Sequence, residues 1–162
     1  MPRYAVSNTL AGTEQSLTSS FKTLIGINAA TGATTLRRGW IDEIFVGADG
    51  SLNATNCQIL WDWSKMTAAG TGTSATPTSP EADAAALLTY TVNYTAEPTV
   101  TAASTLLAFP TNQQQSQRWF ANQSPNQTQP LVIPATNLAG IVGRAKSPTY
   151  VSTAQMQEYC IE

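Results

Sequence analysis

Cys57-Gln58-Ile59-Leu60-Trp61-Asp62-Trp63-Ser64 is the stretch that decides the fold. Cys57, Ile59, Trp61 and Trp63 stand two apart, the spacing that puts side chains on one face of a β-strand, while Gln58, Asp62 and Ser64 fall on the other. One face is built for burial. Toward the N-terminus, Leu36 to Val46 reads as a second strand. The Asp49-Gly50 pair between the two is a strong short-range turn signal, so they are expected to form a hairpin or a close connection. Toward the C-terminus, Leu88, Tyr90 and Val92 point one way with Thr89 and Thr91 opposite, again a half-buried strand. Threonine suits such a position, because its β-branch favours extended backbone and its hydroxyl keeps the outer face wet without charge. Further strands are expected over 19–28, 99–107, 118–121, 131–133, 140–143 and 150–161, eight or nine in all, and helical periodicity is nearly absent. The sequence therefore predicts an all-β, single-domain β-sandwich over 16–162, preceded by a polar N-terminal arm over 1–15.

Two stretches read as long polar loops. Residues 67–83, TAAGTGTSATPTSPEAD, combine Gly70, Gly72, Pro77 and Pro80 with small polar side chains. Residues 110–130 are rich in amides but carry Arg118, Trp119 and Phe120 in their middle, which marks a short strand or an anchored turn. Loops of this length are commonly functional.

Only 18 of the 162 residues are charged, 11%, where an ordinary soluble domain carries about a quarter. Thr, Ser, Asn and Gln, 57 residues together, stand in their place. Eight basic residues scattered from Arg3 to Lys146 form no stripe that would displace counterions from a nucleic acid. No apolar run approaches the ~20 residues a spanning helix needs. Neither nucleic acid nor membrane is an expected partner. The first fifteen residues lack the apolar core of a signal peptide, so synthesis in the cytoplasm is the simpler expectation.

The chain has no histidine, which removes Ser-His and Cys-His nucleophile pairs, HExxH zinc sites and a histidine base. Cys57 and Cys160 are isolated and make no zinc-site spacing; either a disulfide or, in the preferred reading, two buried thiols would account for them. Asp42 with Glu43, and Glu81 with Asp83, are the carboxylate pairs a glycosidase would need. Neighbours on a strand point to opposite faces, however, and the second pair lies in the polar loop. Asp42 or Glu43 is instead expected to pair with Arg37 or Arg38. Asp49 to Asn53 lacks the spaced carboxylates of a calcium loop, and Gly70-Thr71-Gly72 lacks the lysine of a phosphate cradle. Sequons at Asn53, Asn93, Asn122 and Asn126 are expected by chance in a chain so rich in Ser and Thr. No catalytic set, cofactor or metal site is expected.

Trp61 and Trp63 share a face with Cys57 and Ile59 and read as core rather than as a sugar-stacking platform. Trp119 beside Arg118 reads either as an interface anchor, since Trp and Arg are enriched at hot spots, or as a ring closing one end of the sandwich.

RRGWIDEIFVGADG (37–50), CQILWDWSK (57–65), the GTGTSATPTSPEADAAA loop (70–86), Glu97-Pro98-Thr99, Arg118-Trp119, PATNLAGI (134–141) and a closing strand ending at Glu162 follow one another in an order that resembles the small β-rich virion proteins of tailed bacteriophages. Some of these decorate or cement the capsid as trimers of β-sandwich subunits. The resemblance implies a jelly-roll-like, non-enzymatic structural protein, made in the host cytoplasm and resident in the virion, that forms a homotrimer and binds the major capsid protein on the outer shell. The candidate interface is Arg118, Trp119, Phe120, Gln113, Gln114, Gln115 and Tyr94. The alternative is a carbohydrate- or receptor-binding module of a tail fibre or tail tip, in which Trp119, Tyr94 and the amides of Gln113, Gln114 and Gln115 would contact sugars.

Overall fold

The computed structural model describes residues 3–8, 15–29, 36–49, 57–80, 85–121, 129–147 and 153–161, the last as a backbone path. Among them are twelve strands: β1 (Arg3–Ser7), β2 (Gln15–Ser16), β3 (Lys22–Asn28), β4 (Gly39–Asp49), β5 (Gln58–Ala68), β6 (Thr71–Ser74), β7 (Thr89–Ala96), β8 (Thr99–Asn112), β9 (Gln117–Phe120), β10 (Leu131–Ile133), β11 (Gly140–Lys146) and β12 (Thr153–Ile161). They form two six-stranded antiparallel sheets. The protein is all-β, as the alternation in the sequence requires.

In the first sheet a central ribbon of β12 and β4 is flanked on each side by an edge strand in two pieces. β1 and β2 both pair with β12, and β9 and β10 both pair with β4. The second sheet runs β6-β7-β3-β11-β5-β8. β4 and β5 do not make the expected hairpin, because they belong to different sheets. Ile41, Ile44 and Val46 of β4 and Ile59, Trp61 and Trp63 of β5 are all fully buried in one cluster that both sheets share. Two strongly one-sided strands lose more apolar surface to water facing each other across a core than lying side by side. The indole N–H of Trp61 donates to Thr111 Oγ1 at 2.8 Å, which satisfies the one polar atom that ring brings inside.

Three strands were not expected. Residues 3–7, read as part of a polar arm, are β1: Tyr4 and Val6 are buried while Arg3, Ala5 and Ser7 are half-buried, and the pairing with β12 supplies the partner. β2 is only two residues long. β6 lies within the stretch read as a loop, pairing with β7. Beyond β6 the chain changes sheets: Ala75 N–H donates to Tyr90 O at 2.9 Å, then Ala5 and Thr78 exchange backbone hydrogen bonds of 2.8 and 2.9 Å. This stitch joins the edge of the second sheet to that of the first. Glu81 and Asp83 lie outside the described residues.

The second sheet carries another buried layer on its outer face, the face of β5 that holds Asp62 and Ser64. Asp62 Oδ1 accepts from Ser64 Oγ and from Arg144 Nε, both at 2.6 Å, and its Oδ2 accepts from Thr105 Oγ1 at 2.7 Å. The Arg144 guanidinium stacks over the Phe21 ring at 4.4 Å. Met66, Val142 and Tyr94 are buried on the same side. Asn93, with a φ of 50°, breaks the alternation of β7 and re-aims Tyr94; asparagine tolerates this region better than most residues. Gly26 makes room, since a Cβ there would lie 2.1 Å from the Tyr94 hydroxyl. The Asn93 sequon is thus buried in the fold, at 7% exposure.

Candidate interaction surface

The outer face of the first sheet is built around an irregularity in β4. The ladder with β12 runs from Tyr159 opposite Glu43 to Cys160 opposite Ile41 and skips Asp42, while β9 ends opposite Glu43 and β10 resumes opposite Ile41. Asp42 therefore sits in a bulge on one side and at the strand break on the other, its carbonyl accepting from Ala121 N–H at 2.8 Å. A bulge re-aims side chains that alternation would separate. Asp42 and Glu43 consequently reach the same guanidinium: Arg3 Nη2 lies 3.2 Å from Asp42 Oδ2 and 2.7 Å from Glu43 Oε2. Arg118 Nε donates to Glu43 Oε1 at 2.6 Å from the other side, with its guanidinium 3.8 Å from the centre of the Phe120 ring.

These partners replace the expected ones. Arg37 and Arg38 are exposed, and the arginines that meet the carboxylates come from β1 and β9. Glu43 is buried between two cations. Asp42 is less well served: its Oδ1 is buried without a hydrogen-bond partner among the described residues, and burial pushes its carboxyl above the ordinary value of 3.8, the Arg3 charge pulling the other way.

Around this network the described side chains include exposed apolar ones. Val132, opposite Trp40, is 43% exposed, and Phe45, opposite Arg118, is 42% exposed. Trp40 and Phe120 are half-buried on the same side. Trp119, opposite Ile44, is half-buried and packs against the core.

The amide run lies at one end of this face. Gln113 N–H donates to Cys57 O at 3.1 Å, fastening the β8–β9 turn to the second sheet and burying the Gln113 side chain, at 3% exposure. Asn112 Oδ1 accepts from Gln114 N–H at 3.0 Å and holds the turn. Gln114 and Gln115 stay exposed, and with Ser116, Gly47 and Ala48 they line an open cleft of about 370 Å³. Tyr94, at 1% exposure, is far from the surface a sugar would use. The seven candidate residues thus divide: Arg118, Phe120, Gln114 and Gln115 border this face, whereas Gln113, Trp119 and Tyr94 are structural.

Across the described side chains all four acids, Asp42, Glu43, Asp62 and Glu97, are in ion pairs, the last with Lys22 at 3.2 Å. Among the described side chains, eight charged residues are thus paired with one another. Cys57 is a buried thiol. Comparison with known proteins finds no matching family model, curated relative or solved structure.

Proposed function

We propose that this chain is a structural protein of a tailed-bacteriophage virion, a capsid decoration subunit that self-associates, with a homotrimer expected, and binds the major capsid protein on the outer shell. The observation that carries the reading is the outer face of the first sheet. It combines exposed Phe45 and Val132, half-buried Trp40 and Phe120, and an arginine already neutralised by Glu43. Aromatic residues and Arg are enriched at protein interfaces while free Lys, Glu and Asp are depleted. A surface of this kind suits assembly better than catalysis.

In the same reading the fold is a jelly-roll-like sandwich. If β1 and β2 count as one strand, and β9 and β10 as another, the strand orders become β1/β2-β12-β4-β9/β10 and β3-β11-β5-β8, with β6 and β7 added beside β3. An eight-strand double Greek key of this order is common in viral capsid and lectin domains. That likeness adds weight without assigning a function. The sugar-binding alternative is left with Gln114, Gln115 and their cleft, because the aromatic rings it required are buried or packed against the core.

Decoration would act by mass action. A subunit that binds the assembled shell and not its dissociated parts stabilises the shell by RT ln(1 + [L]/Kd), about 2.7 kcal/mol per site at a hundredfold excess over Kd. The test is co-sedimentation of the purified protein with shells assembled from the major capsid protein, together with native mass measurement. Saturable binding and a raised shell melting temperature are expected. A monomer that leaves shells unbound and unstabilised would refute the proposal.

A further inference from the structure

The outer faces of the two sheets differ in what covers them. The second sheet is covered by its own chain: Tyr94 lies over Gly26, Glu97 Oε2 accepts from Thr23 N–H at 3.0 Å, Thr105 closes on Asp62, and Phe21 stacks under Arg144. On the first sheet nothing among the described residues covers Phe45 or Val132.

We propose that the outer face of the first sheet is the contact between copies of this chain, a second copy supplying the cover that the second sheet draws from its own segments. This rests on the reading of the chain as an assembly protein and names the partner of that face. Charge is the first argument. Arg3 and Arg118 are balanced there by Asp42 and Glu43, so these described side chains of the face sum to zero and a second copy meets them without net repulsion.

Area is the second. Four strand positions at about 4.8 Å spacing, crossed with the 11 residues of β4 at about 3.3 Å each, span roughly 700 Å² in projection. A stable pairwise contact buries about 800 Å² on each partner. Side-chain relief makes up such a difference, so one sheet face is sufficient.

The long β8 edge offers no competing route. β8 is an edge strand of 14 residues without a charge, which would invite strand-to-strand pairing. Its ladder with β5 is broken between Trp63 and Ser64 and again toward Ala68, Ala103 has a φ of 54°, and Pro110 lacks an N–H. Bulges and proline are the devices that blunt an edge.

Sedimentation velocity on the full chain, across a concentration series, tests the contact. Val132→Asp and Phe45→Ser change side chains that are already exposed, so the monomer folds, checked by an unchanged far-ultraviolet dichroism spectrum. Each is expected to raise the midpoint concentration of association about thirtyfold or more, the effect of losing an interface anchor. Leu87→Asp and Leu106→Asp, at exposed apolar positions 50% and 39% accessible outside this face, are expected to leave it unchanged. A monomeric wild type, association that survives both face variants, or equal loss in the Leu87 and Leu106 controls would overturn the proposal. Shell co-sedimentation in parallel separates the two readings: association without shell binding removes the decoration role and keeps the contact, and shell binding by a monomer does the reverse.

Discussion

Replacing Asp62 by alanine probes the buried layer on the second sheet most directly. The carboxylate accepts from Ser64, Thr105 and Arg144, and Asp62 and Arg144 have side chains only 5% and 20% exposed. Asp62→Ala leaves a guanidinium without its counter-charge and two hydroxyls without their acceptor. Removing one member of a buried pair costs about 3–5 kcal/mol. The partial exposure of Arg144 and its seat on Phe21 place this case at the lower end, about 3 kcal/mol. For a chain of this size that corresponds to a fall in Tm of roughly 6–12 °C. Urea unfolding followed by the fluorescence of buried Trp61 and Trp63 measures it, with m unchanged. The double variant Asp62→Leu with Arg144→Met removes both charges and fills the space with apolar groups; with only the Ser64 and Thr105 hydroxyls left without their acceptor, it is expected to regain about half of that loss. A loss below about 1 kcal/mol for Asp62→Ala, or a double variant as unstable as the single one, would refute the reasoning.

Three further substitutions test other parts of the structure. Thr111→Val preserves shape but strands the Trp61 indole N–H, at an expected cost of about 1–3 kcal/mol in the same titration, most of it recovered by Thr111→Ser. Gly26→Ala drives a Cβ into the Tyr94 hydroxyl and is expected to cost about 1–3 kcal/mol, with Tyr94→Phe in the same chain restoring part of it; equal damage in both would place the strain elsewhere. For Asp42 the sign follows from its raised carboxyl value: folding disfavours the ionised form, so this group stabilises the protein below pH 3.8 and the contribution is lost as pH rises through its folded value. Asp42→Asn should therefore gain in urea midpoint relative to wild type as pH rises from 3 to 7, and a pH-independent difference would contradict the burial argument.

Strand 57–64 revealed the core face because β5 alternates between Cys57 and Trp63, as the first half of β7 does; β3 and β11, buried on both faces, were legible only as short apolar runs. β1 and β6 were not: only Tyr4 and Val6 mark the buried face of β1, β6 is four small polar residues, and each becomes a strand when β12 or β7 offers a ladder. The pairing of strands was hidden more deeply: nothing local says that β4 and β5 face each other rather than lie adjacent. Of the candidate site, Arg118, Gln114 and Gln115 are exposed polar positions, and Phe120 is the half-buried aromatic beside them. Tyr94 was misplaced by the positive φ at Asn93, and the meeting of Asp42 with Glu43 by a bulge that requires knowing the register on β12. Arg3 was missed altogether, because its carboxylate partners lie about forty residues away in sequence and across an intervening strand.

The interrupted edges of the first sheet set where this chain can change length. Phe120 and Leu131 pair with points two residues apart on β4, and Ser7 and Gln15 with points three apart on β12. The anchors are thus about 7 and 10 Å apart and belong to ladders that do not depend on what lies between them. Doubling either excursion adds only about 0.6 kcal/mol of closure entropy. Foreign peptides, epitopes or whole small domains grafted at these two points would be carried on the rim of the sheet while its register stays unchanged.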